Sequence, residues 1–291
     1  MMRTRILVGT LILIGLAALF WLDLYWSGYC LCLAGMAMTG VALYELYAMA
    51  RKAGLKPFHW IGVGFGAALL PYYLWIEVVE RMLDARAVVG LVAAPLLALI
   101  LVLMARAVRR PEGLVPQLSN MAVTVFGVLY VALPMALLVR TRFLTGHGWD
   151  LVLLVIAVAK ASDVGGYFVG SAIGRHKLAP RISPKKTVEG AAGGLALSVA
   201  AALALGYALD IRPLIDHGIW ATIAFGLVLG VASQAGDLTE SLIKRSTQTK
   251  DSGALLPAFG GMLDLIDSFL VAAPVAYFVL SALSNRAAQA G

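Results

Sequence analysis

Apolar runs of about 20 residues, long enough to cross a bilayer as helices, follow one another along this chain with only short polar connections between them. They fall near 6–22, 27–49, 60–78, 87–105, 120–139, 151–173, 188–209, 218–236 and 266–284. The pattern predicts an all-α, polytopic integral membrane protein with nine transmembrane helices. The first run follows Arg3 and Arg5 much as a signal peptide would, but it is long enough to remain in the membrane and no soluble domain follows it, so it is read as an anchor.

Lysine and arginine decide the orientation, because they accumulate in cytoplasmic loops. With the N-terminus inside, the inner segments hold Arg3, Arg5, Arg51, Lys52, Lys56, Arg106, Arg109, Arg110, Arg175, Lys177, Arg181, Lys185, Lys186, Lys244, Arg245 and Lys250. The outer segments hold Arg81, Arg86, Arg140, Arg142, Arg212 and Arg286, and Lys160 alone falls inside a span. The expected protein is therefore a multi-pass membrane protein with a cytoplasmic N-terminus and an external C-terminus. No repeat or hydrophilic domain interrupts the series. One structural domain is expected, with residues 1–150 as a lipid-facing scaffold of ordinary composition and residues 151–291 as the catalytic region, where nearly all the unusual polarity lies.

Composition agrees with that picture and removes several alternatives. Of the 291 residues, 61% are hydrophobic and 13% charged, where a soluble domain carries about 25% charged residues. Cys30 and Cys32 lie one residue apart within an apolar run and read as packing residues; His59, His147, His176 and His217 are too dispersed for a structural zinc site. The net charge of +7 resides in short loops with no polar, aromatic-rich domain to present it, which argues against nucleic-acid binding.

Three polar stretches carry the candidate chemistry. In the first, Lys160 and Asp163 are three residues apart on one helical face, and each is costly in hydrocarbon unless paired or turned to a polar cavity. Lys160 reads as the structural partner of Asp163, while Asp163 fits a structural pair and the border of a site equally well. Further on, Ser183, Lys185, Lys186 and Thr187 precede an expected helix start, a place suited to phosphate; a polybasic loop touching anionic headgroups is the alternative. Gly165, Gly166, Gly170, Gly174, Gly193 and Gly194 suggest close helix packing. The second stretch places Asp237, Glu240, Ser241 and Lys244 on one helical face with Arg245 alongside, which by itself fits an internal salt-bridge ladder. In the third, Asp264 and Asp267 open the last span with no cation nearby in sequence, after a Pro-Ala-Phe-Gly-Gly segment able to turn tightly. Carboxylates without thiolate or imidazole suit a hard divalent ion such as Mg2+, and pairing Asp264 or Asp267 with Asp237 would build its site. Lysines for phosphate, carboxylates for metal and a membrane location together suggest phosphoryl or nucleotidyl transfer onto a lipid.

At these residues the chain resembles the phosphatidate cytidylyltransferases, or CDP-diacylglycerol synthases. Their signature runs S-x-apolar-K-R-x4-K-D-x-small-x2-apolar-P-x-H-G-G-x-x-D-R-x-D, and Ser241, Lys244, Arg245, Lys250, Asp251, Gly253, Pro257, Gly260, Gly261, Asp264 and Asp267 fall in register. The upstream "GRHKLAP" and "SPKKTVEG" look like family elements too. Phe259 stands where the pattern shows His, and Leu265 where it shows Arg. The resemblance implies that CTP and phosphatidic acid give CDP-diacylglycerol and pyrophosphate with Mg2+, with or without help from a monovalent cation. It implies metal binding by Asp237, Asp264 and Asp267, and triphosphate or pyrophosphate stabilisation by Lys244 and Arg245. Ser183, Lys185, Lys186, Thr187 and Ser241 would contact substrate phosphates, while Lys250 and Asp251 would order their loop or approach the nucleotide. The active site would face the cytoplasm, and small-residue helix faces suggest a homodimer. The competing readings are a CTP-dependent lipid kinase, a catalytically silent paralogue, and an ion-coupled transporter using Glu45, Lys160 and Asp163.

Overall fold

The computed structural model describes residues 14–15, 17–23, 25–26, 28–80, 85–109, 113–145, 148–249, 251–253 and 260–290, with backbone alone at 77–80, 85–92, 114 and 285–290. Most of the first expected span, together with Arg3, Arg5, Arg81, Arg110, His147, Lys250 and the 257–259 part of the Pro-Ala-Phe-Gly-Gly segment, lies outside these residues. The helices are α1 (Tyr29–Lys52), α2 (His59–Glu80), α3 (Ala85–Ala107), α4 (Leu114–Gly127), α5 (Leu133–Thr141), α6 (Gly148–Ile173), α7 (Val188–Ala208), the single turn α8 (Arg212–Ile215), α9 (Ile219–Ser246) and α10 (Met262–Ala290). Among the described residues, six helical segments are long and apolar enough to cross a membrane: Tyr29–Lys52, Val115–Thr141, Gly148–Ile173, Val188–Ala208, Ile219–Ser246 and Met262–Ser284.

Two departures from the expected helices have physical causes. Between α4 and α5 the helix widens into a π-turn at Val128–Ala132, where Leu133 N–H reaches back five residues to the Val128 carbonyl. Pro134 follows and has no N–H for the carbonyl four residues before it, so the α pattern must give way nearby. The fold is also not purely α-helical. Lys177–Ala179 (β1) and Ser183–Thr187 (β2) form an antiparallel hairpin before α7, and Thr187 then caps that helix by accepting from Gly190 N–H at 3.1 Å.

The chain forms two compact units. The first comprises Met1–Arg140 and Ser246–Leu265, the second Thr141–Arg245 and Ile266–Gly291. In the first, the Tyr47 ring on α1 fills space left by Gly62 and Gly127, and its hydroxyl donates to the Thr124 carbonyl at 2.8 Å. The connection into α2 is fixed on α4 by Lys56 N–H donating to Asn120 Oδ1 and Phe58 N–H to Thr124 Oγ1.

The second unit is built on close contact between α6 and α7. A Cβ on Gly165 would stand 2.6 Å from the Gly193 carbonyl oxygen, and one on Gly194 2.7 Å from that of Ser162. Without side chains the backbones approach, and buried hydroxyls then bond across helices. Ser198 Oγ donates to the Val158 carbonyl and Ser233 Oγ to that of Ala159, while Gln234 Nε2 donates to the Ala191 carbonyl at 2.9 Å.

Candidate active site

In the second unit, α6, β2, α7 and α9 enclose a cavity of about 380 Å3. Polar side chains lining it include Ser162, Asp163, Lys185, Lys186, Thr187, Gln234 and Asp237. The hairpin aims the two lysines here because it returns the chain onto the start of α7, and Gly170 and Gly190 leave room for Thr187. Lys186 Nζ lies 2.6 Å from Asp237 Oδ2, which joins the basic wall to the acids of α9.

Those acids form a cluster. Asp237, Glu240 and Asp267 each offer a carboxylate oxygen, and the three oxygens lie within 4.8 Å of one another. Glu240 and Asp267 are buried. Asp267 approaches because Gly236 has no side chain, and a Cβ there would strike the Asp267 carbonyl. Oxygen donors at this spacing, without sulfur or nitrogen, fit a small hard divalent cation. Each carboxylate also has a lysine: Lys186 for Asp237, Lys244 for Glu240 at 2.6 Å, and Lys160 for Asp267 at 4.0 Å. The expected Lys160–Asp163 pair is present at 3.3 Å. The cation missing from the neighbourhood of Asp267 in sequence is thus supplied by another helix.

The remaining expected site residues sort by unit. Within the second, Arg245 Nε donates to the Ile182 carbonyl at 3.3 Å, and Ser183 and Ser241 are half-buried on β2 and α9. Thr187 uses its oxygen as the cap of α7, so any phosphate contact is left to its hydroxyl proton. Within the first, Asp251 is exposed, and Asp264 Oδ2 accepts from Ser252 N–H, from Ser252 Oγ at 2.7 Å and from Gly261 N–H at 2.7 Å. Asp264 thereby holds the turn before α10, where Gly260 adopts φ 90°, a conformation that favours glycine.

Two acids take places that local sequence did not assign to them. Glu240 was readable as a rung of a salt-bridge ladder, yet it lies one turn from Asp237 on the same face, and that spacing was the available signal. Glu45, on α1, is buried and accepts from Met262 N–H at 3.0 Å, Leu263 N–H at 2.9 Å and Ser252 Oγ at 3.2 Å. It caps α10 from a distant part of the chain, and no local pattern reveals that.

Comparison with known proteins adds a family to this geometry. A model described as the cytidylyltransferase family matches residues 3–283. A phosphatidate cytidylyltransferase of Bacillus subtilis is 38% identical over 156 residues, 54% of this chain and 56% of that protein. One from Chlamydia trachomatis is 37% identical over 179 residues, 58% of this chain and 57% of its own. One from Brucella suis is 43% identical over 130 residues, 45% of this chain and 46% of its own. The chain spans about half the length of the curated relatives it matches. With the matched region running through nearly all of its helices, the hairpin and the carboxylate cluster, the chain belongs to the cytidylyltransferase family.

Proposed function

We propose that the chain is a phosphatidate cytidylyltransferase, transferring CMP from CTP to phosphatidic acid to give CDP-diacylglycerol and pyrophosphate. The observation that carries this reading is the 2.6 Å contact between Lys186 and Asp237, which joins a lysine-lined cavity to a set of three carboxylates. A phosphate held at the cavity lies beside a site suited to a divalent cation. The names of the relatives point to the same chemistry.

The phosphate of phosphatidic acid is already anionic and needs no protein base to attack the α-phosphorus of CTP. Lys185, Lys186, Ser183 and the Thr187 hydroxyl orient the phosphates, while Lys244, Arg245 and Ser241 stabilise the departing pyrophosphate. Asp237, Glu240 and Asp267 would hold Mg2+, which when bound supplies neutralisation of the phosphoryl oxygens. Asp264 acts by fixing the turn into α10. The apolar surface of α6, including exposed Tyr167 and Phe168, gives the acyl chains their surroundings. The site faces the cytoplasm, where CTP is made. Cysteines placed at 176 and 210, near opposite ends of α7, should react with an impermeant thiol reagent from opposite sides of the membrane. A homodimer, if formed, uses a face other than the glycines of α6 and α7, which are occupied within the chain.

The test is a product assay on protein in detergent with phosphatidic acid, labelled CTP and Mg2+. CDP-diacylglycerol and pyrophosphate in equal amounts, lost in Asp237→Asn, is the expected result. Folded protein that makes no CDP-lipid, or that makes phosphatidic acid and CDP from diacylglycerol and CTP, overturns the reading.

A further inference from the structure

A lysine within a membrane span is costly unless a specific group requires it, and Lys160 is set among several. Its ammonium lies 2.7 Å from Ser268 Oγ, 3.3 Å from Asp163 Oδ2 and 4.0 Å from Asp267 Oδ1, over the face of the Phe269 ring at 5.6 Å. Pairing with Asp163 alone would not require the contacts to α10. Leu265 occupies the place where the family pattern has Arg, and Leu265 and Ser268 are one turn apart on α10. The ammonium at Ser268 therefore touches the same side of α10 that carries position 265.

We propose that Lys160 supplies from α6 the positive charge that the family signature carries at position 265. Lys160 is a positioning residue: its charge balances the Asp163 and Asp267 side of the cluster, and so sets how tightly the carboxylates hold a divalent cation against the substrate phosphates. This rests on the reading of Asp237, Glu240 and Asp267 as a cation site. It adds that the missing arginine has been replaced from another helix, so Leu265 marks a relocated charge and not a lost activity.

The experiment titrates purified protein in detergent with Mn2+, followed by the loss of its free-ion paramagnetic resonance signal, and measures CDP-lipid formation in parallel. Lys160→Met removes a cation close to Asp267, so Mn2+ should bind about tenfold more tightly while turnover falls about tenfold or more. Lys160→Arg should stay within about threefold of wild type on both measures, and Lys160→Met with Leu265→Arg should return both towards wild type. Melting curves identify any variant that fails to fold, and Lys160→Arg and the double variant then carry the test. An unchanged Mn2+ affinity in folded Lys160→Met, or no recovery in the folded double variant, overturns the relocated charge. So does full recovery of turnover in Lys160→Met with Asp163→Asn, which would leave Lys160 as that residue's partner only. Wild-type protein that binds no Mn2+, unlike the preceding outcomes, overturns the cation site itself.

Discussion

Glu45 permits a sharp test of how α10 is started. Its two carboxylate oxygens accept the N–H groups of Met262 and Leu263, at 3.0 and 2.9 Å, in a buried setting. Glu45→Gln keeps the shape but turns an NH2 towards one of those donors. One buried N–H then lacks an acceptor, at about 1–3 kcal/mol, and the anion is lost from the positive end of the helix, at about 0.5–1 kcal/mol more. Glu45→Ala strands both donors, at about 2–6 kcal/mol before any water enters. Against a typical total of about 5–15 kcal/mol, either change should open the turn around Ser252 and Gly261 locally. The assay is hydrogen exchange by mass spectrometry on purified protein, with a melting curve alongside. Peptides containing Met262 and Leu263 should exchange about tenfold to a thousandfold faster in Glu45→Gln, and faster still in Glu45→Ala, while peptides from α7 keep wild-type protection. Wild-type protection at those amides in both variants would refute the capping argument.

Other outcomes follow from the same geometry. Asp237→Asn should reduce CDP-lipid formation by about 100-fold or more and weaken Mn2+ binding in the resonance titration, with a melting temperature near that of wild type. Lys186→Ala should raise the KM for phosphatidic acid or CTP about tenfold, while Lys186→Arg retains part of the affinity, as steady-state kinetics would show. Gly165→Leu drives a side chain into the Gly193 backbone and should cost about 1–3 kcal/mol or more, read as a lowered melting temperature in detergent. Tyr47→Phe removes only the bond to the Thr124 carbonyl and should cost about 1 kcal/mol, a small shift in the same measurement.

The helical frame was legible because a bilayer imposes length and apolarity on whatever crosses it. The segments expected at 60–78, 151–173 and 188–209 differ from α2, α6 and α7 by a few residues. The ends of α9 and α10 lie beyond the apolar spans at 218–236 and 266–284, since α9 continues as a polar helix to Ser246 and α10 begins with Met262, and there the spacing of the acids, not hydropathy, carried the helical reading. Hydropathy loses sight of a helix where it leaves hydrocarbon. The hairpin was hidden for the opposite reason: five residues including two lysines and a proline show no strand alternation, and their pairing arises from the return of the chain onto α7. In the site, local spacing revealed Lys160 with Asp163 and set Asp237 and Glu240 on one face. The meeting of Asp267 with those two depends on Gly236, and the capping of α10 depends on Glu45. Both are long-range contacts that a one-dimensional reading does not contain.

The first unit is completed by a segment that returns to it late in the chain, Ser246–Leu265. During synthesis Glu45 is therefore made 217 residues before Met262. For that interval its carboxylate lacks the amide donors it has in the finished protein and needs other hydrogen-bond donors, water among them. A ribosome stalled before residue 262 should hold an α1 that is inserted but not yet fixed in place. Assembly of this unit is thus tied to translation past residue 262, and a nascent chain truncated after α9 should be a substrate for membrane quality control.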